Sequence, residues 1–244
     1  MKASVDSLET FGLVDGPGIR TVVFFSGCKM RCLYCHNPEM WQKGEENYTS
    51  DQLVAKILRN KPYFIHNHGG VTFSGGEPLL QIDFLLETCK KLKEQGIHIA
   101  LDTCGNGIGK YDEILKLVDL VLFDVKHPIP REYKKLTSQD ISESEKFIEA
   151  MNKSGKPVWI RQVIVPGIMD NEEYLDQLVE YLKKIKNIEK VEFLPFHHMG
   201  FEKYKKLNIT NPLEDVPPMD VVKCDELYQL FLKKYKNNNL KKSI

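Results

Sequence analysis

Thr21-Val22-Val23-Phe24-Phe25, running into Ser26-Gly27-Cys28-Lys29-Met30-Arg31-Cys32-Leu33-Tyr34-Cys35-His36-Asn37, sets the terms for the rest of the chain. The opening run is β-branched and aromatic with no polar alternation, as expected of a strand covered on both faces. The loop behind it packs three cysteines into eight residues. Thiolates that close together suit zinc or iron. A structural zinc site takes four protein ligands, usually as two well-separated pairs, and no second cysteine or histidine pair follows at that spacing. His36 is adjacent to Cys35, and neighbouring side chains rarely reach one metal together. A four-iron cluster normally takes four thiolates, so three leave one iron with a coordination position open to a substrate or cofactor. A disulfide is disfavoured, since nothing marks the chain as secreted.

Outward from that loop, strands alternate with helices. Residues 1–19 end in Asp15-Gly16-Pro17-Gly18-Ile19, read as a turn ahead of the strand Thr21–Phe25. Thr49-Ser50-Asp51-Gln52 forms a capping box for a helix to about Asn60. Val71–Ser74 is the second strand, ending in Gly75-Gly76-Glu77-Pro78, with a helix from Ile82 to Gln95 behind it. Ile97–Leu101 then runs into Asp102-Thr103, and Leu120–Phe123 into Asp124-Val125-Lys126. A helical region follows to Gly155, then Val158–Val165, a helix from Asn171, and Val191–Leu194 leading to Pro195-Phe196-His197. An irregular stretch to Pro218, a terminal helix and a Lys/Asn-rich tail expected to fray complete the chain. Six strands alternating with helices predict an α/β protein with a parallel sheet, in which ligands gather at the C-terminal strand ends. Those ends carry the cysteine loop, Gly75-Gly76-Glu77, Asp102-Thr103, Asp124 with Lys126, and His197, with Arg161 inside the fifth strand. Taken singly, each polar residue could be a helix cap or an ion pair; at nearly every strand end, they read as one functional mouth.

Length and composition narrow the class. The chain has 244 residues, 42% hydrophobic and 28% charged, as expected of one unit: an N-terminal segment over 1–19, a partial barrel over 20–200, and a C-terminal extension and helix over 201–244. Lys+Arg and Asp+Glu both number 34, which leaves no basic field to collect nucleic acid. There is no apolar signal region and no apolar run of membrane-spanning length, so a cytoplasmic, non-membrane protein is expected. Cys89, Cys104 and Cys224 are scattered and read as small buried hydrophobes.

The spacing Cys28-x3-Cys32-x2-Cys35, with Tyr34 before the last cysteine, resembles the signature of the radical S-adenosylmethionine superfamily, as does Gly75-Gly76-Glu77-Pro78. More narrowly, Asp15-Gly16-Pro17-Gly18-Ile19-Arg20, Cys32-Leu33-Tyr34-Cys35-His36-Asn37, Leu101-Asp102-Thr103, Val158-Trp159-Ile160-Arg161 and Leu194-Pro195-Phe196-His197 resemble the family of pyruvate formate-lyase activating enzymes. The resemblance implies an incomplete (β/α)6 TIM-type barrel, open at one side to admit a loop of a protein substrate. It implies a [4Fe-4S] cluster on Cys28, Cys32 and Cys35, and S-adenosylmethionine held by Tyr34, Cys35, His36, Asn37, Gly76, Glu77, Asp124, Val125, Lys126, Arg161 and His197. Within that set, Gly76 would bring backbone close to the methionine amine, Lys126 and Arg161 would face its carboxylate, and Tyr34 and His36 would flank the adenine. Asp102, Thr103 and Asp124 would hold a monovalent cation, the plain alternative for the two aspartates being helix capping. Asp15 would lie near the partner's glycine loop. The implied partners are pyruvate formate-lyase and a flavodoxin or ferredoxin as electron donor, with a monomeric activase. No cysteine lies between Cys35 and Cys89, so a single cluster is expected. Cys104 departs from the Asn of the family's Asp-Thr-Asn-Gly pattern. Two other functions stay open here: a radical enzyme acting on a small molecule, like the carboxy-deazaguanine synthases, or on another glycyl radical enzyme; and, from a different class, a zinc-stabilised binding module.

Overall fold

A computed structural model describes residues 1–66 and 68–240; the end of the tail expected to fray, 241–244, lies outside the described residues. In chain order the elements are β1 (Lys2–Ala3), β2 (Val5–Gly12), β3 (Arg20–Phe25), β4 (Tyr48–Thr49), α1 (Ser50–Leu58), α2 (Lys61–His66), β5 (Gly70–Gly75), α3 (Ile82–Glu94) and β6 (His98–Thr103). There follow α4 (Tyr111–Leu117), β7 (Leu120–Asp124), α5 (Pro130–Thr137), α6 (Ser142–Ser154), β8 (Val158–Ile164), α7 (Glu172–Leu182), β9 (Ile188–Pro195), α8 (Phe201–Lys206) and α9 (Val221–Leu240).

The main sheet has seven strands in the order β2-β3-β5-β6-β7-β8-β9. From β3 to β9 every pairing is parallel, as the alternation predicts, and the end strands β2 and β9 do not pair with each other, so the curl stays open. β2 is a strand that the reading of the N-terminal segment did not assign ahead of its closing turn: it pairs antiparallel with β3. Its composition hides it, because most of its side chains are exposed and only Val5 and Gly12 are buried. An edge strand covered on one side needs no apolar run. Two further differences have local causes. The helical region before Gly155 is split at Ser138, whose φ of 60° places it in the left-handed region and ends α5. The stretch read as irregular contains α8, one short turn-and-a-half that packs Tyr204 inward.

The strands sort their side chains by face. Val23, Phe25, Val71, Phe73, Ile99, Leu101, Val121 and Phe123 join the helices in the main core. The opposite face carries a small apolar floor of Ala100, Leu120 and Leu122, with Trp159 against it. Above that floor, toward the strand ends, the same face carries Ser74, Asp102, Asp124 and Arg161. Period-two alternation therefore aims these four polar residues into the barrel interior, while their neighbours Thr103 and Gln162 face the other side. The capping box of α1 forms as read, with Gln52 N–H on Thr49 Oγ1 at 3.2 Å and Thr49 N–H on Gln52 Oε1 at 2.9 Å.

Candidate active site

The loop after β3 is held from three sides by backbone. Gly76 N–H donates to Phe25 O at 2.7 Å and Glu77 N–H to Gly27 O at 2.9 Å, zipping the Gly-Gly-Glu turn to the residues that enter the motif. Gly27 N–H donates to Met40 O and Cys28 N–H to Trp41 O, which folds the 38–41 turn back across the loop. Arg31 N–H and Leu33 N–H donate to Thr137 O and Leu136 O at the end of α5. The closeness of the zip dictates glycine: a Cβ on Gly76 would stand 2.4 Å from Gly27 O, and one on Gly75, whose φ is +114°, 2.3 Å from Phe25 N.

The result is a cavity of about 220 Å³ lined by Cys28, Cys32, Cys35, Tyr34, His36, Asn37, Gly76, Asp102, Thr103, Asp124 and Lys126 among the residues expected from sequence. Five expected residues do not line it. Glu77 is buried beneath it, accepting from Thr103 Oγ1 at 2.6 Å, Leu79 N–H at 3.1 Å and Cys104 Sγ at 3.0 Å. Arg161 reaches it through Asp102, at 3.3 Å, and its other amine lies 3.5 Å from Asp15 Oδ1. His197 is exposed and rests edge-on against His36, ring centroids 4.5 Å apart. Val125 turns its side chain into the core and gives its N–H to Arg161 O. Asp15 joins the group through Arg161 alone.

Gly75, read with its turn as part of the mouth, also lines the cavity, and sequence reasoning missed Met30, Trp41, Ser74, Cys104 and Val163, all on its wall. Cys104 is buried as expected of a small hydrophobe, but its thiol also meets Met30 Sδ at 3.2 Å, and Met30 Sδ meets Cys32 Sγ at 3.9 Å. Ser74 donates to Asp102 Oδ2 at 2.7 Å. A larger cleft of about 660 Å³ between α5 and α7, lined by Leu33, His127 and Tyr174 among others, holds no thiol and none of the strand-end acids.

The Radical SAM superfamily model matches residues 22–191. Over 224 residues, covering 91% of this chain and 94% of the relative, the sequence is 51% identical to the pyruvate formate-lyase-activating enzyme of Clostridium pasteurianum. The chain belongs to the radical SAM superfamily, in the pyruvate formate-lyase-activating enzyme family. The enzyme of that name from Staphylococcus epidermidis is 42% identical over 238 residues, 94% of this chain and 95% of its own length. For fold alone, a radical SAM methyltransferase from Sphaerobacter thermophilus superposes with a TM-score of 0.64 at 16% identity, covering 95% of this chain and 75% of that one.

The cofactors of a radical SAM enzyme are a [4Fe-4S] cluster and S-adenosylmethionine, and the residues present fit them. Cys28, Cys32 and Cys35 all line the one cavity, and three thiols at one site suit a four-iron cluster that keeps one iron open. Tyr34, on the cavity wall, has its Oη buried with no hydrogen-bond partner, which leaves a polar atom ready for an occupant. Burial pushes the Cys28 thiol up to about 12, with the Glu77 charge adding to it. Burial also carries Cys32 to about 11, against the pull of Lys126, and raises Cys35 against donors at Asn37 and Trp41. The thiols therefore hold their protons near neutrality, and loading metal expels them. Burial raises Asp102 to about 6, Arg161 opposing and Asp124 reinforcing the rise. For Lys126, burial disfavours the charge, yet Asp124 at 3.0 Å, Tyr34 and the thiols hold it well above its ordinary value.

Proposed function

We propose that this protein installs a glycyl radical on pyruvate formate-lyase under anaerobic conditions. The observation that carries the reading is the Cys28/Cys32/Cys35 loop zipped by backbone to Gly75-Gly76-Glu77 beside one cavity, in a chain 51% identical to an enzyme named for that task. When bound, the reduced cluster held by Cys28, Cys32 and Cys35 would supply one electron to the sulfonium of S-adenosylmethionine, whose C–S cleavage would release methionine and supply the 5′-deoxyadenosyl group that abstracts hydrogen from a glycine Cα.

The protein's own part is holding and shielding. Cys28, Cys32 and Cys35 would hold the cluster by three of its irons and leave the fourth open. Gly76 presents backbone to the methionyl amine, with Glu77 buried beneath to brace the turn. Lys126 on the wall, with Arg161 behind it, holds positive charge for the methionyl carboxylate; Asn37 and Asp124 line the site, Val125 backs it through its N–H to Arg161 O, and Tyr34, His36 and His197 flank the adenosine. Asp102, Thr103 and Asp124 would take a monovalent cation, whose charge would offset the burial and the lesser Asp124 repulsion that raise Asp102. Asp15, tethered to Arg161 on the open face of the sheet, is suited to meeting the partner's glycine loop. We read residues 1–244 as one working unit, a cytoplasmic monomer that takes its electron from a flavodoxin or ferredoxin; among the described residues no helix is long and apolar enough to cross a membrane.

The test is electron paramagnetic resonance on anaerobically reconstituted, reduced protein with S-adenosylmethionine and pyruvate formate-lyase. A glycyl doublet on the partner, absent with Cys28→Ala, is the expected result. Deoxyadenosine formed at full rate without any protein partner would instead favour a small-molecule substrate.

A further inference from the structure

Trp41 belongs to none of the roles above, yet its indole Nε1 lies 3.2 Å from Cys35 Sγ. Indole N–H is a donor with no acceptor capacity, so the sulfur is the acceptor, and a thiolate there accepts better than a thiol. The ring has little freedom to leave. The Arg31 guanidinium stands 4.9 Å over its centroid and Tyr204 meets it edge-on at 5.9 Å. Tyr204 Oη is in turn bonded to Cys35 O at 2.9 Å. The Trp41 carbonyl accepts from Cys28 N–H at 3.1 Å, so this one residue grips the motif at both its outer cysteines.

We propose that the Trp41 N–H hydrogen-bonds the Cys35 sulfur of the loaded cluster and raises its reduction potential, which makes Trp41 a positioning residue for electron uptake. This rests on the cluster assignment above. A donor aimed at sulfur stabilises the reduced cluster, which carries one more negative charge, more than the oxidised one; hydrogen bonding to sulfur is among the levers that set such potentials. Arg31 lies on the outer side of the ring and holds the donor in place.

The test is a redox titration of reconstituted wild-type and Trp41→Phe protein, followed by the reduced-cluster signal. Trp41→Phe leaves an aromatic ring for Arg31 and Tyr204 to pack against and removes the donor together with the five-membered ring that carries it. At a fixed potential its reduced-to-oxidised ratio is expected to fall about tenfold, which for a one-electron couple is about 59 mV. An unchanged midpoint at full iron content overturns the proposal, since a purely structural role would alter iron retention without moving the midpoint. If Trp41→Phe retains no cluster, the intact donor decides. In Trp159→Phe protein, where Trp41 is the remaining tryptophan, 15N-indole label should show a hyperfine coupling to the reduced cluster. A missing coupling overturns the proposal. Wild-type protein that binds no four-iron cluster would overturn the cluster assignment as well, a failure distinct from an unmoved midpoint.

Discussion

Arg20 and Arg161 both lie in the barrel interior, and their surroundings push them in opposite directions. Arg20, fully buried at the lower end, is surrounded by neutral acceptors. Its guanidinium meets Thr72 Oγ1 at 3.0 Å, Pro17 O at 3.4 Å and His98 Nδ1 at 3.1 Å, and also the Val71 carbonyl. Burial lowers it to about 10, with Asp119 and Asp15 too distant to compensate fully. Arg161, higher up, faces Asp15, Asp102 and Glu192 at 3.5, 3.3 and 3.8 Å. Burial opposes its charge as well, but Asp102, Asp124, Asp15 and Glu192 outweigh it and raise it above its ordinary value. The same side chain is thus a latch in one place and a counter-charge in the other. Arg20 ties down the loop that carries Asp15, because Thr72 Oγ1, which accepts from Arg20, itself donates to Asp15 O at 2.6 Å. Arg161 holds the acids of the site within reach of one another.

The contrast breaks if the two arginines respond alike to the same replacement. Arg161→Met should cut S-adenosylmethionine cleavage per loaded cluster by roughly a hundredfold or more, the scale of losing a preorganised charge at a reacting group. Single-turnover assays on matched iron content would read it. Arg20→Met should leave that rate within about twofold and lower stability by about 3 kcal/mol instead, from several buried acceptors left unpaired, with a fall of roughly 10 °C in Tm. A rate collapse in Arg20→Met would erase the distinction.

A smaller effect sharpens the electrostatic half. The folded state raises Asp102 from 3.8 to about 6, so the native protein holds this proton more tightly than the unfolded chain does. That contribution is full at the acid end and is lost as pH rises from about 4 to 6, since stability falls wherever the native state binds more protons. Thermal melts of cofactor-free protein across that window should show Asp102→Asn losing less stability toward pH 6 than wild type. The smallest effect concerns the cation. Potassium substituted for tetramethylammonium at constant ionic strength should raise Tm by about 2 °C at pH 7.5, consistent with roughly 1 kcal/mol of linked binding. The rise should vanish in Asp102→Asn.

The site was legible wherever chemistry sits in a short run of residues. Three cysteines at a fixed spacing, a Gly-Gly-Glu turn and acids after successive strands are local facts, and parallel topology gathers strand ends without further information. Trp41, Ser74, Met30 and Cys104 were not legible, because each acts through a neighbour distant in sequence or turned toward it by a loop. Ser74 matters through Asp102, and Cys104 through Glu77 and Met30. β2 was hidden for a related reason: its partner supplies the hydrogen bonds, so its own side chains need carry no apolar pattern.

By itself the sequence determined the alternation of strand and helix, the three-cysteine spacing of the loop after β3 and the family to which the chain belongs. Those follow from period, spacing and residue type, which are properties of neighbours along the chain. Tertiary structure alone decided that Arg161 is a counter-charge while Arg20 is a latch, that Glu77 braces the cavity from beneath, and that Trp41 aims its N–H at Cys35. A side chain's charge state and hydrogen-bond partner depend on what surrounds it in space, and those surroundings exist only once the sheet has curled and the loops have closed over its upper end.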